Sequence, residues 1–402
     1  MIIGLVWPEP ASSAAGTRMI QLVDLFLAQG YQVTFASAAS KSEFSYDFSN
    51  TSVVEQEIKL NDESFNAFLK ALNPDIVLFD RFMIEEQYGW RVQQECPHAL
   101  RILDTEDLHF LRQARQQSTK KLEALNLFSD TAKREIAAIL RCDLSLIISE
   151  AEIKLLEEEF KIDASLLYYL PFLEQEITEH TIQNWIPFAN RSDFVFIGNF
   201  LHEPNWHTVQ TLKTKVWPLL RKKLPEAQLN IYGAYPSQKV LQLENKTEKF
   251  FIKGRAVNAQ ETIAKHKILL APIQFGAGVK GKFIDAILTG TPSVTTTVGA
   301  EAMKGNLPWN GIIEDDLTLF AEQAAHLYQN ETEWQVAQQN GTQIINERYA
   351  ATAFADDFMR QVHELLSDLP NHRQGNFIGQ ILNHHTLQST KYMSLWIEEK
   401  NK

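Results

Sequence analysis

The feature that most limits what this chain can fold into is a rhythm of short apolar runs separated by amphipathic stretches, stated twice. Candidate strands lie at 2–7, 32–37, 76–80, 100–103, 144–149 and 166–170. Between them run helical patterns. In 17–29, Met19, Val23, Phe26 and Leu27 fall on one face at 3.6-residue periodicity. Stretches 62–72, 85–95, 121–141 and 151–160 read the same way. Strands alternating with helices of this length predict a parallel sheet with helices on both faces. The strand runs are apolar on both sides, as doubly covered strands should be.

At 171–193 the rhythm stops. This segment holds two prolines and no sustained period, which reads as a linker. The alternation restarts with strands at 194–197, 228–232, 250–252, 268–271 and 293–297. Helices are expected from Pro204 to about 223, near 259–265 and at 280–289. Pro204 suits a first helical turn, where its missing N–H costs nothing. Long helical patterns at 315–329, 332–347 and 352–367 close the second unit. Two α/β domains, 1–172 and 194–367, are therefore expected on either side of a 173–193 linker. A tail, 368–402, follows. It keeps Phe377, Ile378, Ile381, Leu382, Met393, Leu395 and Trp396. That much apolar surface predicts packing against the domains or a partner.

Charge divides unevenly. Residues 1–185 hold 16 Lys/Arg and 29 Asp/Glu, whereas 186–402 hold 22 and 21. The net charge of −12 argues against a general nucleic-acid or anionic-membrane binder. The second half is the better place for an anionic ligand. Two cysteines, Cys96 and Cys142, build neither a disulfide framework nor a four-ligand zinc site and fit a reducing cytosol. The N-terminus lacks the basic start and length of a signal peptide, and no apolar run nears the about 20 residues of a membrane span. A cytoplasmic location is expected.

The most informative stretch is 269–303. A strand ending at Ala271–Pro272 is followed by Phe275-Gly276-Ala277-Gly278 and then a helix near 279–288. Glycines allow close backbone approach, and a helix N-terminus presents free N–H groups at the positive end of its dipole. Together they suit phosphate. Lys280 and Lys282 sit in the first turn, where cations are unfavourable unless an anion compensates them; the alternative is two solvated lysines. The string Gly276-x-Gly278-x-x-Gly281, with Glu301 twenty residues on, also matches the dinucleotide fingerprint. That fingerprint's first glycine should follow the strand almost directly, but Pro272 and three further residues intervene. No Walker loop occurs.

In the first half, Asp104-Thr105-Glu106-Asp107-Leu108-His109 follows a strand. Acids and a histidine at a strand's carboxyl end stand where open α/β sheets place ligands. His109 is the leading candidate and Asp107 the second. Capping by Asp104 or Thr105 is the plainer reading of the same residues. Asp80 and Arg81 end the strand at 76–80 and point to the same edge. Arg18, beside Gly16, is either a phosphate or acceptor contact or a solvated arginine at a helix start.

The 269–303 segment resembles the donor-site signature of retaining glycosyltransferases of family 4. Their pattern is roughly Gly-x-Gly-x-Lys-x-Lys-x-x-Glu-Ala, then Gly-x-Pro-x-Val, then Gly-x-Glu-Gly. Here stand Gly276, Gly278, Lys280, Lys282, Asp285-Ala286, Gly290, Pro292, Val294 and Gly299-Ala300-Glu301. Phe194 to Gly198 followed by His202-Glu203-Pro204-Asn205, the run Leu229 to Gly233, and Lys253-Gly254-Arg255 resemble further parts of the family's C-terminal domain. Pro8 to Arg18 resembles its N-terminal cleft loop. The likeness covers about residues 1–365.

The resemblance implies the GT-B fold, two Rossmann-like domains with parallel sheets facing a cleft. It implies a nucleotide-diphosphate sugar on the C-terminal domain, a glycan or lipid-linked acceptor on the N-terminal domain, and transfer with retention. No metal or other cofactor is expected. Gly198, Gly254, Arg255, Gly276, Ala277, Gly278, Asp285 and Glu301 would hold the donor. Lys280 and Lys282 would act with His109 and Asp107 in catalysis, and Gly16, Arg18, Asp80 and Arg81 would line the acceptor side. Two positions depart from the pattern: Asp285 replaces a glutamate that usually holds the ribose, and Ala277 stands where a first glutamate usually meets the sugar. A nucleotide-sugar epimerase and an inactive nucleotide-sugar-binding protein are the rival readings. Polysaccharide or cell-envelope assembly is the usual setting.

Overall fold

The computed structural model describes residues 1–122 and 124–384, together with positions 392, 396, 397 and 400. The first unit runs β1 (Ile2–Gly4), α1 (Ala14–Ala28), β2 (Thr34–Ser37), β3 (Val54–Glu57), α2 (Ser64–Leu72), β4 (Ile76–Asp80), α3 (Phe82–Glu95) and β5 (Leu100–Asp104). It continues with α4 (His109–Lys121), α5 (Asp130–Arg141), β6 (Leu144–Ile147), α6 (Glu150–Glu158) and β7 (Leu167–Tyr169). Its seven strands make one parallel sheet in the order β3-β2-β1-β4-β5-β6-β7. Every residue of β4, β5 and β6 is buried, as strands covered on both faces require.

After a short α7 (Glu179–Gln183) the second unit begins with β8 (Ser192–Ile197), α8 (Glu203–Thr211), α9 (Trp217–Lys223), β9 (Leu229–Tyr232), α10 (Gln238–Leu241), β10 (Phe250–Gly254) and α11 (Ala259–Ala264). It continues with β11 (His266–Ala271), α12 (Gly281–Leu288), β12 (Ser293–Thr295), α13 (Thr297–Ala300), β13 (Gly311–Ile313), α14 (Leu317–Gln329) and α15 (Glu331–Arg348). Its six strands, also all parallel, lie in the order β10-β9-β8-β11-β12-β13. Two Rossmann-like domains of this kind are the GT-B fold.

Two strands were not expected. In β3 the sequence Val-Glu-Gln-Glu is largely exposed at a sheet edge, so it carries charge rather than an apolar alternation. β13 spans only three residues. The single helix expected over 121–141 is broken. α4 stops at Lys121, and α5 restarts at Asp130 under a Ser129 cap whose Oγ accepts from the Ala132 N–H at 3.2 Å.

The C-terminal domain ends near residue 350 rather than at 367. The chain crosses back, and α16 (Ala351–Ser367) joins the N-terminal core. Phe358, Met359, Val362 and Leu365 are buried in the cluster that holds Met19, Phe26, Leu100 and Leu144. Phe358 meets Phe26 edge-on at 6.1 Å. Burying such side chains stabilises by roughly 1.5–3 kcal/mol apiece, so the crossing is firmly anchored.

Two short helices follow, α17 (Leu369–Gly375) and α18 (Phe377–Asn383), and both lie on the N-terminal domain. The start of the tail, 369–383, thus lies on the N-terminal domain, and its anchor is polar. Arg373 Nε and an Nη reach the two Asp143 oxygens at 2.8 Å each, and Asn376 Nδ2 donates to the Leu140 carbonyl at 2.7 Å. Phe377, Ile378 and Ile381 remain exposed. Met393 and Leu395 lie outside the described residues. Among the described residues no helix is long and apolar enough to cross a membrane. Deleting 371–402 leaves Asp143 short of one of its two arginines and uncovers α5. A loss of about 1–3 kcal/mol is expected for a charged hydrogen-bond partner. Differential scanning calorimetry should show a lower melting temperature, and an unchanged one would contradict the polar anchor.

Candidate active site in the interdomain cleft

Open α/β sheets bind ligands beyond the carboxyl ends of their strands, where the strand order reverses. Those points lie between β1 and β4 in one domain and between β8 and β11 in the other. The loops that follow these strands face each other closely. A Cβ added at Gly278 would stand 2.8 Å from the Asp107 Cβ, and one at Gly281 would stand 2.6 Å from the Ala14 Cβ. Ala277 packs against the N-terminal core. Gly278 also needs its left-handed backbone, with φ +61°.

The C-terminal wall carries the cations. Lys280 immediately precedes α12, and its Nζ donates to the Gly278 carbonyl at 2.8 Å. Lys282 Nζ donates to Asn205 Oδ1 at 2.6 Å and lies 4.9 Å above the Phe196 ring. Gly198 lets Asn205 come this close, since a Cβ there would meet its side chain at 2.7 Å. Among the described residues neither lysine forms an ion pair. Desolvation lowers Lys280 to about 8 and, helped by Lys280, lowers Lys282 to about 7. Such lysines charge fully when an anion arrives. The α1 N-terminus, capped by Ser13, abuts the same point through Ala14. Two helix ends therefore converge there.

After β10, Gly254 turns with φ +73°, and no atom lies within 4 Å of where a Cβ would stand. The Arg255 guanidinium lies 4.0 Å over the Phe44 ring, and its Nε donates to Ser12 Oγ at 3.3 Å. Asp285 accepts from Gln260 Nε2 at 3.1 Å, and desolvation raises it to about 6. Asp285 and Gln260 are thus joined across α12 and α11.

The N-terminal wall holds the acids and the histidine. Asp107 pairs with Arg112 and lies 3.5 Å from His109 Nε2. Burial opposes its ionisation, but Arg112 and His109 outweigh that and hold it well below the usual range. Burial lowers His109 to about 4, so it is neutral at pH 7. The expected caps do not form. Glu135, from α5, accepts the His109 and Phe110 N–H groups at 3.0 Å each. Asp104 is taken by Arg18, and Thr105 Oγ1 donates to the Leu146 carbonyl at 2.9 Å.

Arg18 is therefore not a cleft residue. It is 1% exposed, its Nε donates to Asp104 at 2.9 Å, and one Nη donates to the Leu170 carbonyl at 2.9 Å. It ties α1 to β5 and to the end of β7 beneath the site. Asp80 is likewise inward, accepting the Leu5 N–H at 2.9 Å. Gly16 is needed sterically, since a Cβ there would come within 2.7 Å of the Glu9 backbone. Arg81 does reach the cleft. It stands at φ +72°, with Asp80 at 3.4 Å and Glu106 at 3.9 Å. Glu106 stands at φ +63°, and burial raises it to about 8. Two non-glycine residues held in this conformation on neighbouring strand ends store strain at the site.

Two residues at the site were not singled out from the sequence. Arg115 crosses the cleft, bonding Glu301 at 2.6 and 2.8 Å and the Gly276 carbonyl at 2.8 Å. Burial opposes Glu301 ionisation, but Arg115 outweighs it and holds the carboxyl below its usual range. Glu152 accepts the Gly278 N–H at 2.7 Å.

Residues 191–330, which carry this cation wall, match the family model described as Glycosyl transferases group 1. The C-terminal domain is that of a glycosyltransferase. No curated protein matches the chain in sequence. Among solved structures, the chain resembles sucrose-phosphate synthase of Thermosynechococcus elongatus at 14% identity and TM-score 0.67, covering 91% of this chain and 99% of that one. It resembles HepE of Anabaena, whose structure holds UDP and glucose, at 13% and 0.64, covering 91% and 98%. It also resembles TarM of S. aureus at 14% and 0.56, over 75% of this chain and 58% of TarM's length. These likenesses establish the fold.

The glycosyltransferase domain faces a wall whose footing is the Arg18–Asp104 pair. Arg18→Ala leaves Asp104 buried without its cation, which should cost about 3–5 kcal/mol. Urea unfolding followed by circular dichroism measures it, and a change under 1 kcal/mol would return Arg18 to the solvent-facing role expected from sequence.

Proposed function

We propose that this protein is a retaining family 4 enzyme that moves a sugar from a nucleoside-diphosphate sugar to an acceptor, in glycan or envelope-polysaccharide assembly. The observation that carries the reading is the pair of unpaired lysines beside the glycine loop, where two helix ends meet. Such a site is built for a diphosphate. The HepE and TarM structures, which hold UDP, support uridine diphosphate as the first donor nucleotide to test.

The barrier in such a transfer lies mainly in departure of the nucleoside diphosphate. Lys280, Lys282 and the α12 start would stabilise the charge growing on the leaving oxygen. That cationic wall would do the work a metal does elsewhere, so no metal or other cofactor is required in this reading. Asp285 would accept the ribose hydroxyls, as its place in α12 just after the glycine loop supports. Arg255 would flank the base. Ala277 offers a sugar no carboxylate, so sugar hydroxyls would meet Glu301 and the loop's backbone groups. His109, neutral at pH 7, can accept or donate one hydrogen bond to a sugar hydroxyl, with Asp107 fixing its ring. Arg81 and Glu106 would face the acceptor.

Turnover of UDP-, GDP- and ADP-sugars with candidate glycan and lipid-linked acceptors tests the reading. Lys280→Ala and Lys282→Ala should each lower turnover by roughly 10²–10³-fold, the scale for losing one preorganised charge stabiliser. Near-parental rates in both variants would contradict it. Sugar isomerisation without an acceptor would point to an epimerase instead.

A further inference from the structure

Ser149-Glu150-Ala151-Glu152 opens α6 with the pattern of a capping box, in which the serine caps the helix and the glutamate reaches back to the serine N–H. Neither happens. Ser149 makes no side-chain cap, and its buried hydroxyl has no partner. Glu152 is fully buried and points away from its own helix. Its Oε1 accepts two N–H groups from opposite domains, Leu108 at 3.3 Å and Gly278 at 2.7 Å. Its Oε2 is buried and, among the described residues, has no hydrogen bond.

Burying a carboxylate with an unsatisfied oxygen, and leaving the helix cap unmade, are both costly. The geometry gained is a bridge between the loop that carries Asp107 and His109 and the loop expected to take the donor phosphates. Arg115 grips that second loop three atoms of chain away, through the Gly276 carbonyl. One N-terminal side chain therefore holds the loop by its N–H and another by its C=O.

We propose that Glu152 is a positioning residue that couples donor binding to closure of the cleft: its single oxygen fixes the glycine loop against the Asp107–His109 loop. This rests on the donor site proposed above. The donor loop then takes its binding shape only while the N-terminal domain is in place. Closing the cleft and binding a nucleotide become one equilibrium.

The test uses the full-length chain and UDP as the probe, with Glu152→Ala, Glu152→Asp and Glu152→Gln. Small-angle scattering without ligand reads the cleft, and calorimetric titration reads the UDP affinity. Alanine removes the bridge, and aspartate is one methylene too short to span it. Both should enlarge the radius of gyration and weaken UDP by roughly 5–150-fold, the usual range for coupled sites. Glutamine keeps an oxygen that accepts both N–H groups, so it should restore scattering and affinity towards the parent. If alanine fails to fold, aspartate carries the test. Unchanged scattering and affinity in the aspartate variant, or a glutamine variant as impaired as alanine, would overturn the proposal. A parent that binds no UDP, GDP or ADP would overturn the donor reading, while the scattering comparison would still judge the bridge.

Discussion

Two crossings of the chain lie side by side and hold the domains in register. The Glu174 N–H donates to the Tyr349 carbonyl at 2.7 Å, and the Ala351 N–H donates to the Glu174 carbonyl at 2.8 Å. Gln21 of α1 clamps the first crossing, accepting the Leu173 N–H and donating to Glu174. The second crossing is fixed by α16 in the N-terminal core. Together these bonds fix where the C-terminal domain, and with it the glycine loop, sits against the N-terminal wall.

What meets at that place is a cluster of desolvated charges. Two lysines and two helix ends face the cleft from the C-terminal side and the start of α1. Asp107 opposite them is matched by Arg112, and Glu301 on their own side is matched by Arg115 from across the cleft. The remaining acids, Glu106 and Glu152, are pushed towards their neutral forms by burial. The wall thus holds two desolvated lysines with no ion pair among the described residues, in a site where charge acts more strongly than in water.

The parts of this design written in local backbone constraints were legible in the sequence. The glycine loop and its two lysines could be read because a left-handed glycine and a helix start have local signatures. β4 was read in full because every one of its residues is buried. The parts made by distant partners were not legible. Arg18 looked like a helix-start arginine, yet its partner Asp104 lies 86 residues away. Ser149 and Glu152 have the spacing of a capping box, yet Glu152 accepts instead from Gly278, 126 residues on. Arg115 belongs to no motif, since its partners lie on another domain. The boundary at 367 failed because an amphipathic helix does not record which core it covers.

Hydrogen exchange of the full chain with and without UDP tests most directly whether a nucleotide lies across both domains. Bound nucleotide should slow exchange in 276–281 and 254–258 of the C-terminal domain and, together with them, in 106–110 of the N-terminal domain. Protection limited to the C-terminal segments, with 106–110 unchanged, would contradict a site completed by cleft closure. No protection in any of the three would contradict the nucleotide site itself.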